Sequence, residues 1–188
     1  FSKDALYVVT PQMFGAKGDG VTDDSQAIRQ AIESLPNENF ILYFPPAVYL
    51  QGDGTNPHYD KASNGTYSGD ADIGNPIYFL FRNKKNFRII GYGATIIAHP
   101  ANSCIKNNRG FHFEFCENGV IEGLTYNGNI ENRKPWGGDN RKYNAQNAFH
   151  VSASKRIKLK NVTAIGAVMD GFYIGLDRDS SGELVLSS

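Results

Sequence analysis

The chain has little with which to build a covalently stapled or metal-centred protein. Only two cysteines, Cys104 and Cys116, stand among its 188 residues, too few for a disulfide framework or a thiolate zinc site. Cys116 ends the alternating run Phe111 to Phe115, so a buried thiol in a turn is the expected role, with a bridge to Cys104 as the alternative. No apolar run approaches membrane-spanning length, and no membrane partner is expected. Charge of one sign is not in excess either, because 19 Lys plus Arg balance 19 Asp plus Glu. Bulk electrostatics therefore give no case for nucleic acid. No leader peptide is visible, but an opening residue of Phe1 rather than methionine points to trimming, so that absence excludes nothing.

What is abundant is aromatic and strand-forming. Twelve Phe and ten Tyr within 40% hydrophobic content suit a β-rich protein, and the length suits one domain, residues 1–188, with a real core. Near the front, Gly15, Gly18 and Gly20 punctuate a turn that leads to Thr22, Asp23 and Asp24. Thr22 or Asp23 can accept the first free helix N–H groups, and the acids suit the positive end of the helix dipole. Ala27, Ile28, Ala31, Ile32 and Leu35 then share one stripe, and Pro36 stops the run. The spacing predicts a helix over 22–35. The glycines fit neither a dinucleotide loop nor a P-loop, since no lysine–serine pair follows.

Two strands, Ile41 to Phe44 and Val48 to Leu50, flank a Pro45-Pro46 corner, so residues 10–50 form a cap and first coil. Residues 51–76 are a polar loop of a length that is unusual in a compact domain and often functional. From 77 to 188 a unit recurs. Ile77 to Phe81, Phe111 to Phe115, Phe149 to Ala153 and Phe172 to Gly175 alternate, and second strands follow at Phe87 to Ile90, Val120 to Leu124, Ile157 to Leu159 and Leu184 to Leu186. Short third strands lie around Thr95 and Thr125. The shortest interval is about 23 residues, a solenoid length, and an insertion over 129–147 lengthens another. Stacked coils would align Phe79, Phe113, Val151 and Ile174 in one inner column. An immunoglobulin-like sandwich is the competing fold, but it predicts neither that column nor a leading helix. The expectation is a mostly β, right-handed parallel β-helix with an N-terminal capping helix. Leu184 to Ser188 then reads as the second strand of a coil left unfinished at the C-terminal end.

The segment Phe14-Gly15-Ala16-Lys17-Gly18-Asp19-Gly20-Val21-Thr22-Asp23-Asp24, followed by Phe44-Pro45-Pro46-Ala47-Val48-Tyr49-Leu50, resembles the N-terminal signature of the pectate-lyase-like superfamily. That group includes rhamnogalacturonase-type enzymes and phage tailspike β-helices. The resemblance implies the β-helix fold and action on a polysaccharide by hydrolysis or by β-elimination. It implies an extracellular or virion-associated protein, a homotrimer if the chain is tailspike-like, and no cofactor, with calcium the exception if it is a lyase. A non-catalytic glycan-binding adhesin or tail domain is the alternative, and a fragment lacking its active coils is a third.

Several residues are candidates for the chemistry. The outward column of the repeat would hold Tyr78, His112, His150 and Tyr173, with Glu114 and Ser152 beside it. Strands about 4.8 Å apart would place His112, Glu114 and His150 together on an exposed face, where a carboxylate beside an imidazole can do acid–base work. Ordinary solvated side chains explain the same pattern. The segment Val168-Met169-Asp170-Gly171-Phe172 resembles the Asn-Thr-Asp-Gly segment of polygalacturonase-type glycoside hydrolases. By that match Asp170 corresponds to an active-site acid, with Val168 and Met169 standing where the family has Asn and Thr. An Asp-Gly turn is the plain account. Asp177 and Asp179, around Arg178, could supply further carboxylates for glycoside hydrolysis or equally form a solvated turn held by Arg178. In the insertion, Trp136 either offers a sugar-stacking face, with Tyr143 beside it and the positive charge of Arg141 and Lys142 suiting an acidic glycan, or anchors the loop over the coil. Tyr173 joins them as a binding candidate.

Overall fold

The computed structural model describes residues 6–52, 79–99, 110–132, 147–167, 170–178 and 184–186. Three five-stranded sheets carry the fold. Sheet A holds β1 (Tyr7–Val9), β3 (Glu38–Tyr43), β6 (Lys85–Ile90), β9 (Glu117–Glu122) and β12 (Lys155–Lys160). Sheet B holds β2 (Asp19–Asp23), β4 (Val48–Gln51), β7 (Thr95–Ala98), β10 (Thr125–Asn127) and β13 (Thr163–Ile165). Sheet C holds β5 (Phe79–Arg82), β8 (Phe111–Glu114), β11 (Phe149–Ser152), β14 (Phe172–Arg178) and β15 (Leu184–Leu186). The chain visits C, A and B in turn and repeats the circuit, and neighbours within each sheet pair in parallel apart from the last pair. This is the expected β-helix. No helix among the described residues is long and apolar enough to cross a membrane.

Register is set by side chains that have nowhere else to go. Phe79, Phe111, Phe149 and Phe172 are cross-strand partners, with ring centroids 5.3, 5.6 and 5.4 Å apart from one rung to the next. Phe81, Phe113, Val151 and Ile174 form the second inner column. The sequence expectation had placed Phe79 beneath Phe113; the true alignment starts two residues later, because β5 begins at Phe79 and Phe81 takes the second inward position. In sheet A, Phe40 stacks on Phe87 at 5.3 Å and 9°, and the next inward position is Gly119. A Cβ there would fall inside van der Waals contact with the Phe87 ring, so the missing side chain makes room for the aromatic below.

The corners between sheets repeat as well. Asn39, Asn86, Asn118 and Arg156, each the second residue of a sheet A strand, all have φ between 50° and 62°. Asparagine tolerates that left-handed region better than most residues. The Asn118 amide donates to Asn86 Oδ1 at 3.0 Å, and Arg156 Nε donates to Asn118 Oδ1 at 2.5 Å. Arg156 thus continues an asparagine ladder.

The helix α1 (Ser25–Glu33) lies in the chain between β2 of sheet B and β3 of sheet A, where every later coil places a sheet C strand. It packs against β5 and buries Ala27, Ile28, Ala31, Ile32 and the following Leu35 in the core. It covers the otherwise open first rung of sheet C. Lys84 fixes the helix end, with Nζ donating to the carbonyls of Leu35 and Pro36 at 2.8 and 3.2 Å.

The helix is shorter than expected at its start because residues 19–23 are held extended as β2 against β4. Three carboxylates organise this stretch, each differently. Asp19 accepts the N–H groups of Val21 and Thr22. Asp23 Oδ1 accepts from Ser25 N and Gly52 N, both at 2.9 Å, tying the helix start to the end of β4. Asp24, 1% exposed, turns away from the helix to accept Lys17 N at 2.6 Å and Gly18 N at 3.1 Å.

At the other end, the expected parallel strand over 184–186 is instead antiparallel, with Leu176 opposite Leu186 and Arg178 opposite Leu184. A chain that reverses after β14 pairs with the strand it has just left, so it does not enter sheet A.

Two outcomes follow from this packing. Gly119→Val should destabilise the fold by about 1–3 kcal/mol through overpacking against Phe87, read by urea denaturation. In a carboxyl NMR titration, Asp19 should titrate near 2, where the Thr22 and Val21 hydrogen bonds hold it, and Asp24 above 3.8, because burial outweighs its hydrogen bonds. The signs are opposite: the Asp19 contribution to stability is complete above about pH 4 and is lost as pH falls toward 2, whereas protonation of Asp24 favours the fold.

Candidate functional site

Because Phe111, Phe113, Phe149 and Val151 point into the coil, His112, Glu114, His150 and Ser152 lie on the opposite face of sheet C. The rungs bring them into two outward columns. One is Leu80, His112, His150 and Tyr173; the other is Arg82, Glu114, Ser152 and Gly175. Leu80, not Tyr78, therefore stands beneath His112, for the same reason that shifts the inner column, and Tyr78 lies outside the described residues. The two imidazoles are 4.3 Å apart by centroid, and the Tyr173 ring is 4.6 Å from His150.

These side chains were expected on a solvated face, yet His112 is 1% exposed, Glu114 6% and His150 8%. Their polar atoms find partners within the protein, as burial requires. His112 Nε2 lies 3.0 Å from Ser152 Oγ. The Asn147 amide nitrogen lies 3.2 Å from His150 Nδ1, within hydrogen-bonding distance of the ring. Glu114 is ion-paired to Arg82 Nε, whose side chain is 45% exposed.

The last described rung of parallel coils carries Tyr173 and Asp170, and its inward Phe172 and Ile174 are exposed as well because no coil is described above them. Tyr173 is 40% exposed, and Asp170 is exposed. The Asp170 backbone is fixed from the rung below, its carbonyl accepting Ala148 N at 3.1 Å and its N–H approaching Asn147 Oδ1 at 3.4 Å. Asn147 thus orients both His150 and the Asp170 segment. Asp177 lies in β14 opposite Val185. Asp179, Trp136, Arg141, Lys142 and Tyr143 lie outside the described residues, as do Cys104, the loop over 53–78 and most of the insertion. Cys116 is a buried thiol that donates to the Phe81 carbonyl, and burial pushes it up to about 11. Among the described residues, no three His, Cys, Asp or Glu side chains converge to hold a metal ion.

Sequence inspection missed two members of this face. Arg82 would have been found by aligning Phe-Leu-Phe-Arg with Phe-His-Phe-Glu, which places Arg82 under Glu114. Asn147 precedes its strand by two residues and carried no periodic signal.

Residues 9–171 match the family described as rhamnogalacturonase A/epimerase, pectate lyase-like. A stretch of 40 residues, 21% of the chain, is 46% identical to a capsule K30/K69-specific depolymerase of Klebsiella phage K64-1, of which it spans 5%. Among solved structures, an iota-carrageenase complexed to iota-carrageenan fragments aligns with 100% of the chain at TM-score 0.57 and 18% identity. PfbA, a surface adhesin of Streptococcus pneumoniae, aligns with 84% at TM-score 0.51 and 20% identity. The chain spans 37% and 33% of those two proteins. At such identities the structural likeness is one of fold.

In urea denaturation, Arg82→Ala should cost about 1–2 kcal/mol by removing a charged partner of buried Glu114, discounted for the exposure of the guanidinium. Asp170→Asn, at an exposed side chain, should stay within about 0.5 kcal/mol of the parent.

Proposed function

The chain belongs to the rhamnogalacturonase A/epimerase, pectate lyase-like family, and from that footing we propose that it is a carbohydrate-active β-helix protein that depolymerises a polysaccharide along the outer face of sheet C. The observation that carries this is the outward column of that face, in which His112, His150 and Tyr173 stand on successive rungs. The His112 and His150 rings lie 4.3 Å apart, Tyr173 follows at 4.6 Å from His150, and the Asp170 backbone is hydrogen-bonded to Ala148 and Asn147 beside them. Such a face presents an aromatic ring on a strand and an acid just before that strand, as a glycan site needs.

Hydrolysis is the favoured chemistry. In it Asp170 would donate a proton to the leaving glycosidic oxygen, with a second carboxylate, Asp177 or Asp179, as base or nucleophile. In β-elimination a base would remove the proton beside a uronic carboxyl, and His150 is the candidate on this face. Trp136, Tyr143, Arg141 and Lys142 are the proposed glycan contacts from the insertion. The kinship with phage depolymerases supports an extracellular or virion-associated setting, and trimeric assembly belongs to the tailspike variant of the proposal. If the chemistry is elimination, calcium is the proposed cofactor.

A second reading, a glycan-binding domain without turnover, draws on Glu114. The in-sheet carboxylate on this face is engaged by Arg82 in an ion pair.

Incubation with capsular, pectic and sulfated polysaccharides separates these. Hydrolysis should give reducing ends without ultraviolet absorbance, elimination should give both, and a binder should give neither while retaining the polymer. Asp170→Asn should lower turnover by at least about a hundredfold if Asp170 is the general acid; an unchanged rate would remove it from the mechanism.

A further inference from the structure

A different face of the molecule carries its own aromatic and charged cluster. On the outer side of sheet A, Glu122 lies between Arg88 from the rung below, to which it is ion-paired, and Lys160 from the rung above, whose Nζ is 3.6 Å away. Tyr92, in the turn after β6, points its hydroxyl toward Glu122 at 3.4 Å and lies within 3.5 Å of the Asn161 amide. The Tyr92 ring crosses Gly123, where a Cβ would come within 2.5–2.8 Å of three ring atoms. Only glycine lets the ring lie there, and the residue remains 49% exposed. One aromatic side chain is thereby laid across three coils and held at its polar end.

The charges around it are unequal. The side chains of Arg88 and Lys160 are 54% and 58% exposed, whereas that of Glu122 is 6% exposed. Lys158, two rungs above Arg88 in the same column, is exposed and has no ion-pair partner among the described residues. The accessible atoms at this corner are therefore cationic and aromatic, while the acid that orders them is covered.

We propose that the Tyr92 corner of sheet A is a second glycan-binding surface, separate from sheet C, that takes an anionic polysaccharide. A pyranose ring lies on the tyrosine, its carboxylate or sulfate meets Arg88, Lys158 or Lys160, and Asn161 meets a hydroxyl. This rests on the carbohydrate reading above and adds a charge class to it. A single ring suits a sugar better than a nucleic acid strand, whose binding uses successive stacking platforms. The surface would hold the polymer while the other face works on it, raising its effective concentration there.

The test is affinity electrophoresis and calorimetry of the whole chain with polygalacturonate, iota-carrageenan, neutral dextran and single-stranded DNA. The expected result is binding to one or both acidic polysaccharides, weakened by salt, with no binding to dextran. Tyr92→Ala should weaken it about tenfold, as loss of a stacking contact does. Tyr92→Phe should restore it. Lys158→Gln should weaken binding and flatten its salt dependence, whereas Lys17→Gln, removing a cation near α1, should leave it unchanged. Melting temperatures within a few degrees of the parent show that the variants fold. If Tyr92→Ala does not fold, Lys158→Gln against Lys17→Gln decides. Equal effects of the two lysines, dextran binding as tight as that of the acidic polymers, or tighter binding to DNA would each overturn the proposal. Retained polysaccharide turnover with binding unaffected by Tyr92→Ala would sink this surface and leave the proposed function standing. Failure of every polysaccharide to bind or be cut would sink both.

Discussion

The constraint on which everything else depends is that no single coil of this chain can bury its own inner face. An inward phenylalanine is shielded only when another stands above or below it, so the unit of stability is the pair of rungs. Parallel pairing supplies this by placing residue opposite residue at constant spacing. Phe111 thus meets Phe79 on one side and Phe149 on the other. Buried large rings contribute about 1.5–3 kcal/mol each, and a slip of one residue would turn them all to the outside. Volume has to be shared as well: Phe87 is tolerated beneath Gly119 because the two together fill one space.

The same repetition governs what lies outside the coil. Any residue type placed outward is brought beside its counterpart from the neighbouring coil, so side chains meet as columns. This turns separate positions into the His112–His150 contact, the Arg82–Glu114 pair and the Glu38, Lys85, Glu117 and Lys155 register of alternating charge. A solenoid is therefore suited to recognising long, repetitive ligands, since its surface repeats on a fixed pitch. It also explains why a polar column can be buried, as His112 and Glu114 are, when its members satisfy one another.

Closing the first rung is a separate problem with a separate solution. Among the described residues sheet C has no strand before β5, and α1 takes that place, its apolar stripe against the inner columns and the carbonyls just beyond its C-terminal end held by Lys84. The acidic residues before it do not chiefly serve the helix dipole. Asp19 shapes its own turn, Asp23 bridges helix and β4, and Asp24 is buried against the glycine turn.

The parallel β-helix, the capping helix and its buried stripe were legible in the sequence, because each depends on periodicity, and periodicity is local. The family signature around Asp19 to Asp24 and the recurring Phe-x-Phe units carried that information without any coordinates. What the sequence left open was the alignment of one coil upon the next, since inserted loops of different length separate the repeats and hide their phase. Only the tertiary structure decided that Phe81 and not Phe79 stacks on Phe113, that Arg82 meets Glu114, and that His112 is buried. It also decided that the strand over 184–186 turns back, and that Tyr92 reaches across Gly123 to Asn161. Each of these is a contact between residues far apart in the chain, fixed by hydrogen-bond register across the rungs.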